Sequence, residues 1–262
     1  MTKLGKILIE TAMDAGAYLR KNAFECRQLE WKGEDNPVTI HDKTAEKMIY
    51  QKLKSYGPCT VIGEEGSRDV HSDTLIKYYV DPIDGTEDWT IKNFDSTVSI
   101  GAEHQGKLIG GVVYDFMKNI LYISNGIDRY LLHDGRKKEF ARNEYGMIRV
   151  MTKRVKGLNF PEDTKVRPAY GSTALHIAKL AAGVNDCIMY SPGRGETWDI
   201  AGGVALLDPK QFSMYNAKLE PFDHKRANEG MIFVRKSIES QLSESIMNWR
   251  KKEARRLLEP IA

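Results

Sequence analysis

The sequence of 262 residues predicts a layered α/β sandwich in two lobes. Helical and strand patterns alternate along the chain, successive strands are joined by Gly-containing turns, and the residue pattern changes after about position 146. We therefore expect an N-terminal α+β lobe over residues 1–146 and a C-terminal α/β lobe over residues 147–262. Such a length is enough for one large domain or for two small lobes with a shared core.

The first lobe begins with two amphipathic helices. Apolar residues recur near every 3.6 positions, which predicts a helix over 3–22 and a second helix that starts near Thr39. The second helix is expected to bury Ala45, Met48, Ile49 and Leu53. Strands are expected at 60–63, at 76–81 and in two successive β-rich stretches, 96–116 and 119–135.

The second lobe alternates helices and strands. Helices are predicted at 173–183, at 198–207 and at the C-terminus, with strands at 186–190 and 230–234. The basic stretch WRKKEARR at 249–256 interleaves with apolar residues at helical spacing, so we interpret it as the solvated face of the last helix.

Composition excludes several functional classes. Lys and Arg total 39 against 36 acidic residues, and this balance is too mild to indicate a nucleic-acid-binding protein. The three cysteines, Cys26, Cys59 and Cys187, are scattered and odd in number, which is typical of a reducing compartment rather than of a disulfide framework. The N-terminal segment lacks the features of a signal peptide and no apolar run has the length of a membrane helix. We expect a cytoplasmic protein with no nucleic-acid or membrane partner.

The segment VDPIDGTEDW, residues 80–89, places two carboxylates three positions apart at the end of an apolar run. Asp81 and Asp84 repel each other unless a cation lies between them. Mg²⁺ prefers such hard oxygen ligands, namely carboxylates, backbone carbonyls and water. Further candidates are Glu64 in VIGEEG, Asp42 at a helix start and Asp199 in WDIAGG. The turn at Pro82 and Ile83 is expected to direct both aspartates and the Ile83 carbonyl toward one point.

Each of these acidic residues also has a purely structural interpretation. Asp42 can form a T-x-x-D capping box with Thr39, and Glu64 can be a turn residue. Asp199 can be a charge in the first turn of a helix, where the helix dipole favours it, and Asp84-Gly85 is a common turn pair. A single D-x-x-D-G-T would be a modest signal. Its occurrence between an upstream G-E-E and a downstream W-D-x-A-G favours the metal-site interpretation.

These motifs resemble those of the inositol monophosphatase superfamily, which comprises Mg²⁺-dependent, lithium-sensitive phosphatases. The resemblance rests on DPIDGT at 81–86, WDIAG at 198–202 and GEE at 63–65. Supporting stretches are NPVTIHDKTAEKMI, TVSIG, GVVYD and GSTAL. It implies a layered α-β-α-β-α sandwich, a homodimer, and one active site shared by the two lobes.

The resemblance also implies two to three Mg²⁺ ions per site. One would be held by Glu64, Asp81 and the Ile83 carbonyl. A second, the more loosely held ion that Li⁺ replaces, would lie between Asp81, Asp84 and Asp199, and a third, weaker one would involve Glu64.

Catalytic roles are implied for Asp42, Thr86 and Glu64, with Asp42 and Thr86 orienting or deprotonating the attacking water. The backbone N–H groups of Gly85 and Thr86 are expected to face the phosphate if a helix or turn begins there. Gly171, Ser172 and Asp199 are assigned to the substrate side, where Ser172 is also a candidate helix N-cap.

The sequence departs from the inositol monophosphatase pattern at Pro192, where the resemblance leads us to expect a glutamate that contacts inositol hydroxyls. Glu196 and Arg194 are candidate replacements. The segment EDWTIKN at 87–93 is similar to the nucleotide-phosphatase branch. We expect a small phosphorylated polyol such as myo-inositol monophosphate as the substrate, with 3′-phosphoadenosine 5′-phosphate as the alternative, followed by a sugar bisphosphate or histidinol phosphate.

Two other classes share part of the pattern. Phosphatases of the haloacid dehalogenase type use an aspartate nucleophile in a D-x-D motif, and the D-x-x-D spacing at Asp81 breaks that geometry. A catalytically silent scaffold of the same family would have no need of the full ligand set.

Overall fold

The computed structural model describes residues 1–25, 29–32, 37–69, 74–141, 146–152, 158–193 and 195–258. The chain divides into two compact units. Unit 1 comprises Met1–Phe140, Gly171–Ala178 and Trp198–Leu206, and unit 2 comprises Ala141–Tyr170, Lys179–Thr197 and Leu207–Ala262.

The helices and strands are, in chain order, α1 (Lys3–Lys21), β1 (Leu29–Trp31), β2 (Pro37–Thr39), α2 (Ile40–Ser55), β3 (Thr60–Gly63), β4 (Ile76–Asp84), α3 (Thr86–Thr90), β5 (Thr97–His104), β6 (Lys107–Asp115), β7 (Ile120–Ser124), β8 (Arg129–His133), β9 (Arg136–Glu139), β10 (Ile148–Thr152), β11 (Thr164–Arg167), α4 (Thr173–Ala181), β12 (Cys187–Tyr190), α5 (Thr197–Val204), β13 (Phe212–Tyr215), β14 (Met231–Arg235) and α6 (Glu239–Leu258), with 3₁₀ turns at His224–Glu229 and Lys236–Ile238.

Unit 1 is built on a seven-stranded sheet in the order β3-β4-β5-β6-β7-β8-β9. The β3–β4 pair is parallel and the later pairs are antiparallel, as expected for strands joined by short turns. Helices α1 and α2 cover one face, where their apolar stripes form a core with strand residues such as Ile100 and Ala102. Thr2 caps α1 and Thr39 caps α2 through side-chain oxygens that accept backbone N–H bonds.

Helix α5 lies on the opposite face of the same sheet. Successive strand residues point to opposite faces, so Gly101, between Ile100 and Ala102, faces away from α1 and α2. A Cβ at Gly101 would lie 2.5 Å from the Ala201 Cβ, and one at Gly111 would lie 2.7 Å from the Gly202 carbonyl oxygen. The glycines therefore allow α5 to approach the sheet backbone directly, and unit 1 is a helix–sheet–helix sandwich.

Unit 2 contains a five-stranded mixed sheet in the order β11-β10-β12-β14-β13. The core on one face of this sheet is formed with α6, whose Leu242, Ile246 and Trp249 are buried against strand residues including Val150 and Val234. Within the part of α6 whose side chains are described, Lys251 and Lys252 are exposed, as expected for the basic stretch.

The α/β class is confirmed, and several expectations change in detail. Strand β4 continues to Asp84 instead of ending at 81. Met48 is only half-buried, whereas Glu46 on the same helix is buried. Strands β1, β2, β9, β10, β11 and β13 were not expected. The units are not two consecutive stretches of chain, because Gly171–Ala178 and Trp198–Leu206 pack within unit 1. Among the described residues, no helix has the length and apolar character needed to cross a membrane.

Candidate active site

The DPID segment forms an irregular end of β4. Residues three apart on a regular strand point to opposite faces, which would separate Asp81 from Asp84. Here the register shifts between them, since Asp81 pairs with Ser99 and Asp84 pairs with Thr97. One extra residue on β4 therefore returns both aspartates to the face of the sheet that α5 covers, and a bulge is a position where a strand tolerates Pro82.

Three carboxylates from separate elements converge next to this bulge. Glu64 follows β3, Asp81 lies on β4, and Asp199 lies in the first turn of α5. One oxygen from each lies within 4.8 Å of the others, and Asp81 is only 2% exposed. The backbone N–H of Glu64 donates to the Val80 carbonyl over 3.2 Å, which fixes Glu64 beside the start of the DPID segment.

Burial makes this cluster electrostatically costly. Desolvation and the charges of Glu64, Asp84, Asp199 and Asp42 raise the pKa of Asp81 well above its usual range. Desolvation likewise raises the pKa of Glu64, in spite of the opposing charge of Lys32. Converging carboxylates of which one is buried and two are partly buried repel one another, and a bound divalent cation would offset this repulsion. Hard oxygen donors are the ligands that Mg²⁺ prefers. The residues present therefore fit a metal site.

Asp84 lies beside the cluster and is bound by the start of α4. Its Oδ2 accepts hydrogen bonds from the Ser172 hydroxyl and the Ala174 backbone N–H, both at 2.6 Å. Ser172 in turn accepts from the Leu175 N–H and lies 2.9 Å from the Thr97 hydroxyl. Desolvation raises the pKa of Asp84 to about 6, although these hydrogen bonds act in the opposite direction. Ser172 thus orients Asp84 in addition to capping α4.

The buried Asp42 forms a pair with the partly buried Thr86. Thr86 Oγ1 lies 2.9 Å from both Asp42 Oδ1 and the Ile83 carbonyl oxygen. The other Asp42 oxygen accepts from the Thr39 N–H at 2.8 Å and the Thr39 hydroxyl at 2.5 Å, so the capping box is present. Capping and catalytic interpretations of Asp42 are therefore compatible, because each uses a different carboxylate oxygen.

Two glycines shape the backbone next to this pair. Gly85 caps α3 with φ +88°, and Gly171 precedes α4 with φ +78°. A Cβ at Gly85 would lie 3.0 Å from the Ser172 nitrogen, and one at Gly171 would lie 2.9 Å from the Asp95 carbonyl oxygen. Positive φ and close approach both favour glycine here. A helix does begin at Thr86, as the phosphate-binding expectation requires.

A lysine next to the carboxylates was not predicted. Lys32 Nζ lies 2.5 Å from Glu65 Oε1 and 3.5 Å from Glu64 Oε1. Lys32 was not among the predicted site residues, because a single lysine carries no spacing signal. Of the candidates to replace the expected glutamate, Glu196 belongs to unit 2, as does Pro192, and Arg194 lies outside the described residues.

A layered α/β protein with converging carboxylates beside a hydroxyl–carboxylate pair defines a metal-dependent hydrolase class. The family model for the inositol monophosphatase family matches residues 1–210. The chain belongs to the inositol monophosphatase family, whose members are metal-dependent phosphatases.

Individual relatives agree with this assignment. Inositol-1-monophosphatase of Bacillus subtilis is 27% identical over 95% of this chain and 98% of its own. Nus factor SuhB of Salmonella typhimurium is 31% identical over 77% of this chain and 80% of its own. The solved structure of the IMPase of Thermotoga maritima has a TM-score of 0.78 at 19% identity, covering 94% of this chain and 97% of that one, and shows the fold.

Proposed function

We propose that this protein is a Mg²⁺-dependent phosphomonoesterase that hydrolyses a small phosphorylated polyol such as myo-inositol monophosphate. The convergence of Glu64, Asp81 and Asp199 beside the Asp42–Thr86 pair carries the proposal. Membership of a phosphatase family supports the reaction class.

Two groups of ligands would hold the metal. Glu64, Asp81 and the Ile83 carbonyl form one, and Asp81, Asp84 and Asp199 form the other, with Asp81 shared. Bound divalent ions supply positive charge that neutralises the phosphate and acidifies water. The Ile83 carbonyl has two lone pairs, so its contact with Thr86 leaves one for a metal.

Thr86 and Asp42 would position and deprotonate the attacking water. The Thr86 hydroxyl carries one proton, and donating it to Asp42 Oδ1 leaves the oxygen lone pairs to accept a hydrogen bond from water. Desolvation raises the pKa of Asp42, although the Thr39 hydrogen bonds to its other oxygen act in the opposite direction, and this suits Asp42 to accept the proton that water would lose through Thr86.

The remaining residues bind and orient substrate. The backbone N–H groups at Gly85 and Thr86 would bind the phosphate, while Gly171 and Asp199 would lie on the side of the leaving alcohol. Ser172 is also assigned to that side, but its hydroxyl is fully buried against Asp84, so it would act on the substrate by orienting Asp84. Glu64 is assigned to orienting water as well as to metal binding. Attack is direct, so no phosphoenzyme should form on Asp81 or Asp84.

Recognition of the leaving alcohol depends on the residue at position 192. Proline at position 192 has no side-chain group that binds a hydroxyl, and loss of one charged hydrogen bond costs about 1.5–3 kcal/mol, or roughly tenfold or more in selectivity. We therefore expect weaker discrimination for inositol than a glutamate at this position would give. The EDWTIKN segment favours 3′-phosphoadenosine 5′-phosphate as the alternative substrate.

A phosphate-release panel tests the proposal. Purified protein is assayed with inositol monophosphate, 3′-phosphoadenosine 5′-phosphate, a sugar bisphosphate and histidinol phosphate, each with Mg²⁺ or with a chelator. Release of phosphate from the polyol ester only when Mg²⁺ is present supports the proposal. Activity that survives exhaustive chelation contradicts the metal assignment. A strong preference for 3′-phosphoadenosine 5′-phosphate identifies the nucleotide, rather than the polyol ester, as the substrate.

The proposal extends to the state of the protein in the cell. We infer a cytoplasmic homodimer that Li⁺ inhibits at fixed Mg²⁺ by displacing the ion next to Asp84 and Asp199. Light scattering measures the assembly, and a Li⁺ titration of the phosphatase rate measures the inhibition.

A further inference from the structure

A second carboxylate on α2 holds the loop that carries Glu64. Glu46 lies one helical turn after Asp42 and is 2% exposed. One of its carboxylate oxygens accepts the Glu65 N–H at 2.7 Å and the other accepts the Ser67 N–H at 2.8 Å. Both oxygens of a buried acidic side chain are therefore committed to the backbone directly after Glu64.

The loop is built around this carboxylate. The Gly63 N–H donates to the Ser67 carbonyl over 2.7 Å and closes the turn. A Cβ at Gly63 would lie 2.3 Å from a Glu46 carboxylate oxygen, far inside contact distance. Glycine at position 63 therefore leaves the space that the Glu46 carboxylate occupies, and the GEE motif has a structural as well as a ligand component.

Glu64 is consequently fixed from two sides. Its own N–H is bound to Val80, the residue before Asp81, and the following N–H is bound to Glu46. Hydrogen bonds to an ionised carboxylate are about twice as strong as neutral ones, so this anchor is firm. Helix α2 thereby sets two parts of the site, because Asp42 binds Thr86 and Glu46 binds the Glu64 loop.

We propose that Glu46 is a positioning residue that orients Glu64 for metal binding. The inference rests on the proposed function and deepens it, since it concerns the affinity of the same site for Mg²⁺. We assign Glu46 no direct contact with the metal, because it is not one of the three carboxylates, Glu64, Asp81 and Asp199, that converge among the described residues. Partners that orient metal ligands typically contribute tenfold to hundredfold to metal affinity.

The test measures Mg²⁺ binding and activity separately. Glu46→Gln places an amide NH₂ against a backbone N–H, which removes one anchor at nearly constant volume. We expect the Kd for Mg²⁺, measured by isothermal titration calorimetry, to rise about tenfold or more. The Mg²⁺ concentration for half-maximal phosphatase rate should rise in parallel, whereas kcat at saturating Mg²⁺ should change less than about threefold.

A matched control separates positioning from general stability. Asp186 is also buried and accepts a backbone N–H, from Arg149 at 3.0 Å, but it belongs to unit 2. Asp186→Asn should leave the Kd for Mg²⁺ unchanged even if it lowers Tm. An equal rise in Kd in Asp186→Asn and Glu46→Gln overturns the inference.

A second variant keeps the test decisive if Glu46→Gln fails to fold. Gly63→Ala displaces the Glu46 carboxylate without changing it, so its Kd for Mg²⁺ should also rise. In a Glu46→Ala background the space is open, and Gly63→Ala should then add little. If the wild-type protein binds no Mg²⁺, the proposed function is overturned. If Glu46→Gln and Gly63→Ala both fold and bind Mg²⁺ with wild-type affinity, only the positioning role of Glu46 is overturned.

Discussion

At the residue scale, Asp81 is subject to the like charges of Glu64, Asp84, Asp199 and Asp42. It is buried on the face that α5 covers, and Glu64 and Asp199 lie within reach of the same ion. Asp81→Asn removes a charge shared by both proposed ligand groups. We expect turnover to fall by ~10³ or more, on the scale of other losses of charge stabilisation.

The same substitution should stabilise the metal-free protein. A neutral amide relieves repulsion that no cation offsets in the absence of Mg²⁺. We expect Tm in a chelator to rise by about 2–4 °C, the shift that ~1 kcal/mol produces in a domain of this size class. Scanning calorimetry with and without Mg²⁺ measures it, and a lower Tm in chelator would mean that Asp81 is a structural residue.

Thr86 tests the water-positioning pair. Thr86→Val keeps the shape of the side chain and removes the hydroxyl that binds Asp42. We expect kcat to fall about 10²-fold or more, as for loss of general acid–base assistance, with little change in the Kd for Mg²⁺. Thr86→Ser retains the hydroxyl and should recover most of the rate. Equal activity in the valine and serine variants would remove Thr86 from the mechanism.

At the element scale, the site depends on how closely α5 approaches the sheet. Gly111→Ala places a methyl group 2.7 Å from the Gly202 carbonyl and 2.8 Å from the Ala205 Cβ. Overpacking of this kind costs about 1–3 kcal/mol. Because α5 carries Asp199, we expect both a lower Tm and a higher Kd for Mg²⁺.

Gly16→Ala is the matched control for this prediction. Its methyl group would lie 2.3 Å from the Tyr114 ring, on the face that α1 covers. It should lower Tm without changing the Kd for Mg²⁺. Unchanged metal affinity in Gly111→Ala at reduced Tm would show that Asp199 tolerates displacement of α5.

Local motifs account for what the sequence predicted well. The capping box at Thr39, the helix start at Thr86 and most strand positions follow from short-range rules. Strand β9 was missed because Arg136–Glu139 is exposed and lacks apolar alternation. Placement of α5 within unit 1 depends on packing against Gly101 and Gly111, which sequence spacing does not reveal.

The candidate site likewise contains residues that short motifs predict and contacts that only the folded chain reveals. The acidic residues were found from motif order, and the bulge that turns Asp81 and Asp84 to one face was anticipated only as a turn. The partners Ser172 for Asp84 and Glu46 for the Glu64 loop come from long-range contacts. From the sequence alone, Glu46 is indistinguishable from an exposed charged residue on a helix, because its binding partners lie about 20 residues later in the chain.

At the scale of the whole molecule, the buried carboxylates couple folding to pH and to metal. The groups that face one another are Glu64, Asp81, Asp84, Asp199 and Asp42, with Lys32 as the neighbouring cation. Burial raises the pKa values of Glu64, Asp81, Asp84 and Asp42 in the folded protein. The folded protein therefore holds these protons more tightly than the unfolded chain does, where carboxyl groups titrate near pH ~4.

The sign of the effect follows from this difference. Stabilisation by the bound protons is fully present below the unfolded pKa and is lost as pH rises through the folded pKa, which is about 6 for Asp84. Metal-free protein should thus lose stability between about pH 5 and pH 7, and Mg²⁺ should restore it, because a ligand of the folded state stabilises by mass action. We expect the difference in Tm between Mg²⁺ and chelator to be larger at pH 7 than at pH 5. Scanning fluorimetry at both pH values measures it, and titrations elsewhere in the molecule cancel because they affect both samples equally. A difference in Tm that is the same at both pH values would show that the carboxylate cluster does not couple proton and metal binding to folding.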